Sequence, residues 1–136
     1  MKSAGYSGTP LAKKLGFKEG TRAALVDAPP NFRTALTPVP DGVRFFRQGD
    51  EPLDLVLLFA PRKAALDPAF RDWAARLDPA GMIWVAWPKR TSGVATDLNE
   101  DRVRAIGLAE GLVDVKVCAI DLVWSGLKFV RRRKDR

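Results

Sequence analysis

The chain has 136 residues, of which 46% are hydrophobic and 29% charged, and 23 Lys and Arg against 16 Asp and Glu give it a formal net charge of +7. This length supplies one good hydrophobic core, so a single soluble globular domain is expected. The chain has no histidine and one cysteine, Cys118. On its own it therefore cannot build Ser-His-Asp or Cys-His catalysis, a zinc finger, a haem site or an internal disulfide.

No segment of the sequence indicates export or membrane insertion. Residues 1–10 contain no apolar run of the kind that a signal peptide carries. The longest apolar runs, 55–60 and 82–87, are far shorter than the ~20 residues that span a bilayer. We therefore expect a cytoplasmic protein with no membrane partner. We also expect no metal site, because the chain has no histidine and one cysteine.

The first half of the chain is predicted to alternate short helices with strands. Thr9 and Pro10 are typical of a helix start and Gly16 of a helix end, which predicts a first helix between them. Asn31 is a suitable cap for a second short helix over 31–36. Three apolar runs bounded by turn residues predict strands: 22–27, 43–47 and 54–60. The last run is apolar on both faces, as in a parallel sheet covered by helices.

The second half continues this alternation and ends in two strands. Asp67 and Pro68 predict the cap and first turn of an amphipathic helix, and the apolar run 82–87 predicts a buried strand. A capping box that opens at Asp97 predicts another helix, which ends at Gly111. Two strands with no helix between them follow: 113–118 and 127–130.

The order of these elements predicts the fold class. Buried strands that alternate with amphipathic helices indicate a three-layer α/β sandwich of the Rossmann-like class. The final pair of strands predicts an antiparallel C-terminal hairpin on a mostly parallel sheet. We expect one domain over 1–130, with an N-terminal arm at 1–8 and a basic tail at 131–136.

Five segments of the sequence resemble a bacterial family catalogued as domain of unknown function 3052. These segments are 6–16, 87–89, 92–98, 111–119 and 124–130. The resemblance covers nearly the whole chain and implies membership of that family. It brings no activity, substrate or site with it.

A more distant resemblance is to the Rossmann-like fold of class I methyltransferases. Residues 15–25 are similar to the segment that leads into that family's first strand, and 82–87 and 113–130 are similar to later strands. The resemblance implies the family's fold, shortened by at least one strand-helix unit. In that family a glycine-rich loop after the first strand binds S-adenosylmethionine.

The loop after the first strand departs from this family pattern. Its sequence over 27–31 is Asp-Ala-Pro-Pro-Asn, with no glycine. Pro29 and Pro30 each fix φ and lack an amide donor where a cofactor would need one. We therefore expect a degenerate methyltransferase-like scaffold that is non-catalytic and holds no cofactor, with S-adenosylmethionine-dependent methyl transfer not expected.

Polar side chains after two of the predicted strands form a candidate ligand site. In an open α/β sheet, ligands bind outside the carboxyl ends of the strands, near the point where strand order reverses. The residues expected there are Asp27, Lys89, Arg90, Thr91 and Ser92. The last four would bind an anion and the first a sugar or amine, so an enzyme or binder of a nucleotide-like or anionic small molecule is one alternative function. The competing interpretation is an ordinary solvated loop.

The basic tail suggests another alternative function. Its cationic residues are Arg131, Arg132, Arg133, Lys134 and Arg136. With one acid, residues 131–136 carry a net +4 out of +7, which leaves +3 for the other 130 residues and predicts no basic binding face on the domain. Such an arm binds nucleic acid through phosphate contacts, whereas the competing interpretation is a solubilising, frayed terminus.

Three further patterns are assigned to structure in preference to chemistry. Acidic side chains share one face of a predicted helix: Asp97, Glu100 and Asp101. Such a face can bind Mg²⁺, but acids in a first helical turn are explained by capping and by the helix dipole. Cys118 is predicted to be buried in an alternating strand. Trp84 and Trp87 are predicted to lie on opposite faces of one strand.

Overall fold

The computed structural model describes residues 9–47 and 51–136, in which helices and strands alternate. Its helices are α1 (Leu11–Leu15), α2 (Phe32–Leu36), α3 (Lys63–Ala74) and α4 (Glu100–Ala109). Its strands are β1 (Arg22–Val26), β2 (Arg44–Phe45), β3 (Leu53–Phe59), β4 (Leu77–Pro88), β5 (Leu112–Ala119) and β6 (Trp124–Arg131). Short 3-10 turns occupy Arg90–Ser92 and Arg133–Asp135. The predicted arm at 1–8 lies outside the described residues.

The six strands form one sheet in the order β2-β1-β3-β4-β6-β5. β2, β1, β3 and β4 run parallel, while β6 is antiparallel to both β4 and β5. This confirms the predicted mostly parallel sheet with an antiparallel C-terminal hairpin. Chain order reverses at β1, which has β2 on one side and β3 on the other. The switch point of the sheet therefore lies at the carboxyl end of β1.

Helices cover both faces of this sheet and complete three layers. Phe70 of α3 and Val103 of α4 lie in the core on one face, together with Trp87. Leu15 of α1 and residues of α2 lie in the core on the other face, together with Trp84. The two tryptophans are thus on opposite faces of β4, as predicted. The Nε1 atom of Trp84 donates a hydrogen bond of 2.8 Å to the Leu15 carbonyl oxygen, which fixes α1 on the sheet.

α3 begins earlier than the sequence predicts. The expected start at Asp67 and Pro68 is wrong: the helix starts at Lys63, and Pro68 lies inside it. The Lys63 amide donates to Asp97 Oδ1 at 2.9 Å, across 34 positions of sequence. Because this cap comes from a distant loop, the local pattern of residues cannot reveal it.

α4 and two strands also differ from expectation at their ends. The cap of α4 is Asn99, whose Oδ1 accepts the Arg102 amide at 2.8 Å, so the predicted start at Asp97 is too early. β4 extends back to Leu77 because that residue pairs with Leu53 before the register shifts. β6 likewise begins at Trp124, which pairs with Pro88 and does not lie in a turn.

β5 is an edge strand that departs from the alternation predicted for its valines. Its register against β6 shifts between Asp114 and Lys116, where one extra residue is inserted. Val115 and Val117 are 53% and 47% exposed. Cys118 is buried, as predicted. Burial of its thiol raises the pKa of this cysteine, which disfavours the reactive thiolate.

Gly107 allows α4 to pack closely on β6. A Cβ atom at this position would overlap the ring of Phe129. That ring is fully buried and meets Phe70 edge-on, with centroids 5.3 Å apart. The helix therefore approaches the sheet at a distance that only glycine permits.

We expect Gly107→Ala to lower the free energy of unfolding by about 1–3 kcal/mol, because the Phe129 ring must shift inside a packed core. Urea denaturation measures this change. Leu108→Ala, on the exposed side of the same helix, is the matched control and should stay within about 0.5 kcal/mol of the parent. An unchanged free energy for Gly107→Ala would show that the two elements are not in close contact.

Arg22 joins the amino ends of β1 and β3. Its Nε and Nη2 atoms donate to the two oxygens of Asp54 at 3.0 and 2.8 Å, and its amide donates to the same carboxylate at 2.8 Å. Hydrogen bonds from the Arg22 side chain hold the pKa of Asp54 below its ordinary value. Arg104 of α4 acts in the same way on Asp114, at 2.9 Å, and lowers its pKa.

These two carboxylates predict a loss of stability in acid. Their folded pKa values lie below the ~3.9 of an unfolded Asp, so their contribution is complete above about pH 4 and is lost as the pH falls through the folded values. We expect Asp54→Asn to lower the free energy of unfolding by about 1 kcal/mol near neutral pH, since the pair is partly exposed. The difference from the parent should shrink toward about pH 2. Urea denaturation at both pH values checks this, and a difference independent of pH would refute it.

Candidate functional site

A cleft of about 550 Å³ opens at the carboxyl ends of β1 and β2, beside the switch point of the sheet. We call it the β1 cleft. Its floor carries half-buried aromatic side chains, and its rim carries exposed charges. Its charged and aromatic lining includes Asp27, Arg33, Phe45, Phe46, Arg47 and Trp73. This is the place in an open α/β sheet where ligands bind.

The loop between β1 and α2 forms one wall of this cleft and holds two strained residues. Asp27 has φ of 55° and Asn31 has φ of 68°, both in the left-handed region. For residues other than glycine this region costs about 1–2 kcal/mol, and Asp and Asn tolerate it best. The loop thus has left-handed backbone at both ends without any glycine. Pro29 and Pro30 lie between these ends and offer no amide donors.

Arginine side chains stack on the aromatic rings of the β1 cleft. The guanidinium carbon of Arg33 lies 3.9 Å from the centroid of the Phe45 ring. Beside the cleft, Arg76 lies 4.6 Å from the centroid of the Trp73 ring, and its Nη1 donates to the Arg47 carbonyl at 3.3 Å. The Nε and Nη2 atoms of Arg76 are buried and have no acceptor within the part of the chain that the structure describes. Buried donors of this kind favour an added acceptor.

Lys89 and Arg90 line a second cleft, of about 460 Å³, which shares no lining residue with the β1 cleft. Asp27 is therefore not brought together with Lys89 and Arg90. Thr91 lies with Ser92 in the 3-10 turn that follows β4. The Ser92 hydroxyl donates to the Lys89 carbonyl at 2.7 Å and accepts from the Val94 amide at 3.1 Å. This hydroxyl is thus engaged in the turn itself.

The acidic side chains in the second cleft, Asp97 and Glu100, and the neighbouring Asp101 are bound to protein groups. Asp97 caps α3, and Thr96 beside it donates to the Pro61 carbonyl at 2.6 Å. Glu100 and Asp101 both form ion pairs with Arg104, at 2.5 and 2.9 Å. Capping and ion pairing thus account for these three carboxylates.

The basic tail is attached to the domain. Arg131, the last residue of β6, donates through Nη2 to the Ala74 carbonyl at the end of α3, at 2.6 Å. Arg136 donates through Nε to the Arg131 carbonyl at 2.9 Å, so residues 132–136 fold back toward the strand. A cation at a helix carboxyl end is favourable, because the helix dipole is negative there.

Two arginines on the rim of the β1 cleft, Arg33 and Arg47, are not among the site residues predicted from the sequence. Arg47 lies two residues after β2 at its carboxyl end, but it was the last residue of the predicted strand 43–47, so the rule that selected Asp27 did not select it. Arg33 gave no such signal, because its position depends on the direction in which α2 leaves the loop. Phe45 and Trp73 were predicted only as strand and helix residues.

Comparison with known proteins identifies the fold. No protein-family model matches the chain, and no curated protein matches it. A SAM dependent methyltransferase from Aquifex aeolicus is 13% identical, with 86% of this chain and 85% of that chain covered and a TM-score of 0.58. The DhpI protein in complex with SAH is 12% identical, with 91% and 84% covered and a TM-score of 0.62. Aeropyrum pernix fibrillarin with natively bound S-adenosyl-L-methionine is 14% identical, with 88% and 73% covered and a TM-score of 0.58.

The chain has a class I methyltransferase-like fold. This confirms the predicted fold class, and at such low identity the likeness shows the fold alone. Since no family model matches, the resemblance to domain of unknown function 3052 stays a prediction. No helix among the described residues is long and apolar enough to cross a membrane.

The strain at Asn31 gives a prediction about the loop after β1. We expect Asn31→Ala to lower the free energy of unfolding by about 1 kcal/mol, because alanine tolerates the left-handed region poorly. Asn31→Gly should stay within about 0.5 kcal/mol of the parent, because glycine adopts this region freely. Thermal and urea denaturation measure both. Equal effects of the two substitutions would mean that backbone conformation does not decide the residue at this position.

Proposed function

We propose that this protein is a non-catalytic binder of an anionic, nucleotide-like small molecule in the bacterial cytoplasm, on a methyltransferase-like scaffold. The observation that carries the proposal is the β1 cleft, where Arg33 and Arg47 stand above an aromatic floor at the switch point. Its volume of about 550 Å³ is typical of small-molecule sites. Planar rings stack on aromatic and guanidinium faces, and arginine binds phosphate in a bidentate manner.

Charge distinguishes this ligand from S-adenosylmethionine. The sulfonium of S-adenosylmethionine is positive, and two arginines on the rim disfavour a cation. The prolines at 29 and 30 also remove amide donors beside the cleft. Asp27 remains available to accept a hydrogen bond from a sugar hydroxyl or an amine.

The composition of the β1 cleft supports a binding role without catalysis. Asp27 is the only carboxylate among its described lining residues, and the chain has no histidine. General acid–base catalysis commonly uses two titratable groups, one as the acid and one as the base, and a single carboxylate supplies only one of them. Arginine stays protonated and transfers no proton at neutral pH. Binding and orientation are therefore what these groups supply.

Thermal denaturation with a panel of ligands tests the proposal. We expect ATP, GTP and AMP to raise the Tm by a few degrees, since a ligand at about ten times its Kd stabilises by ~1.4 kcal/mol. S-adenosylmethionine should give a smaller shift. The double variant Arg33→Ala/Arg47→Ala should weaken nucleotide binding at least ~10-fold, as expected for loss of charge-assisted hydrogen bonds. Calorimetric titration measures this loss.

Two further variants decide where a ligand binds. Arg62→Ala removes an exposed arginine outside both clefts and should leave the nucleotide Kd unchanged. Arg90→Ala tests the second cleft, and a loss of binding confined to this variant would move the site there. A larger Tm shift with S-adenosylmethionine than with any nucleotide would overturn the proposal and restore a methyltransferase-type ligand. So would the absence of any nucleotide shift.

A further inference from the structure

Four lysines that are distant in sequence meet on the sheet face that α1 and α2 partly cover. We call them the lysine face: Lys14, Lys18, Lys116 and Lys128. Lys116 of β5 lies directly opposite Lys128 of β6, and Lys128 lies directly opposite Trp84 of β4. Directly paired residues share a face, and Trp84 belongs to the core under α1 and α2. The two lysines thus extend this row of side chains beyond the helices.

Lys14 and Lys18 approach the same row from α1 and the loop after it. The Lys14 Nζ atom donates to the Ala119 carbonyl at the end of β5, at 3.3 Å. Burial lowers the pKa of Lys128, and the nearby charges of Lys116 and then Lys18 lower it further. The lysine face therefore joins α1, β5 and β6 into one positively charged surface.

The lysine face has no internal neutralisation. Within residues 9–47 and 51–136, none of its four lysines forms an ion pair. Glu19 is the only acid in the segment 11–22. Like charges directly opposite on neighbouring strands destabilise a sheet. The fold keeps such a pair at Lys116 and Lys128, so a multivalent anion would be stabilised there.

The basic tail begins at the edge of the sheet at which the lysine face also ends. β6 ends at the amino ends of the parallel strands, where Val130 pairs with Met82. Lys18 precedes β1 at that same edge. Arg131 follows Lys128 by three residues, so its side chain lies on the opposite face of β6, where its Nη2 atom donates to the Ala74 carbonyl of α3. Residues 132–136 follow the end of this strand, so the rest of the tail and Lys18 lie at the same edge of the sheet.

The composition of this surface distinguishes a nucleic acid from a membrane. Stable binding in a lipid interface combines basic side chains with apolar ones that insert among the acyl chains. The large apolar side chains exposed in β5 and the loop after it are Val115, Val117 and Leu122, of which Val117 lies on the opposite face with Leu127, and the described residues of α1 and β6 expose none. A sugar-phosphate backbone presents a dense row of charges, and lysines and arginines neutralise it without apolar contact.

We propose that the lysine face and the basic tail together bind the phosphate backbone of a nucleic acid without sequence preference. The net charge of +3 outside the tail predicts no basic binding face on the domain. The net charge is a sum over the whole surface and does not show where the charges lie. The register of the sheet places several lysines on one part of that surface. The proposed binding is independent of the β1 cleft.

Fluorescence anisotropy of the full chain with labelled DNA duplex and single-stranded RNA, at several KCl concentrations, tests this proposal. We expect Lys116→Gln/Lys128→Gln to weaken binding ~10-fold at about 0.1 M salt, and to reduce the slope of log K against log salt for duplex by about 1.8. Arg132→Gln/Arg133→Gln/Lys134→Gln should reduce the slope further. Arg62→Gln/Arg71→Gln, which removes two exposed charges on the α3 side, is the matched control and should change neither value.

The Tm of each variant shows whether it folds, and Lys116→Gln/Lys128→Gln should not lower it, because a repulsive pair is removed. If the lysine variant and the control have the same Kd and slope as the parent, the lysine face does not bind nucleic acid and the proposal is wrong. It is equally wrong if the parent shows no binding at low salt. Binding to vesicles of anionic lipid without binding to nucleic acid would also overturn it.

Discussion

β3 lies in the middle of the sheet, and its apolar side chains are excluded from solvent on both faces. Leu55 and Leu57 belong to the core under α1 and α2, while Val56 and Leu58 belong to the core under α3 and α4. Burial of each such side chain contributes roughly 1.5–3 kcal/mol. A strand of this kind needs a helical layer on each side, so the chain crosses over the sheet between parallel strands. The carboxyl ends of the parallel strands then meet at one edge, where the β1 cleft opens beside β1 and β2.

The loop after β1 determines what this edge can bind. Asp27 and Asn31 take left-handed conformations at its two ends, and Pro29 and Pro30 fix the segment between them. In this protein the methyltransferase-like fold therefore carries a stiff loop at the switch point of the sheet, and this loop has few free amide donors. Recognition is left to side chains: the guanidinium groups of Arg33 and Arg47, and the rings below them. This arrangement favours anions and flat rings.

The sequence predicts elements well where burial alone defines them. The apolar runs of β1, β3 and β4 were found because strands covered on both faces leave a continuous pattern. The start of α3 was missed because its cap is Asp97, which arrives from the loop before α4. The ligand site predicted from the sequence is split between two clefts for a similar reason. Asp27 and Lys89 both follow strands, but they line different clefts. Two strands can end side by side at one edge of a sheet, while the loops that follow them run in different directions.

The two basic residue types have separate roles in the described part of the chain. Arginines neutralise most of the paired carboxylates: Arg22 binds Asp54, and Arg104 binds Asp114 together with two acids of its own helix. The planar guanidinium matches a carboxylate through two hydrogen bonds, which suits these fixed pairs. The lysines of the lysine face are left without acids. The acids that pair with arginines therefore do not lie beside the lysine face. As a result, a domain with a net charge of only +3 outside its tail has a concentrated positive surface.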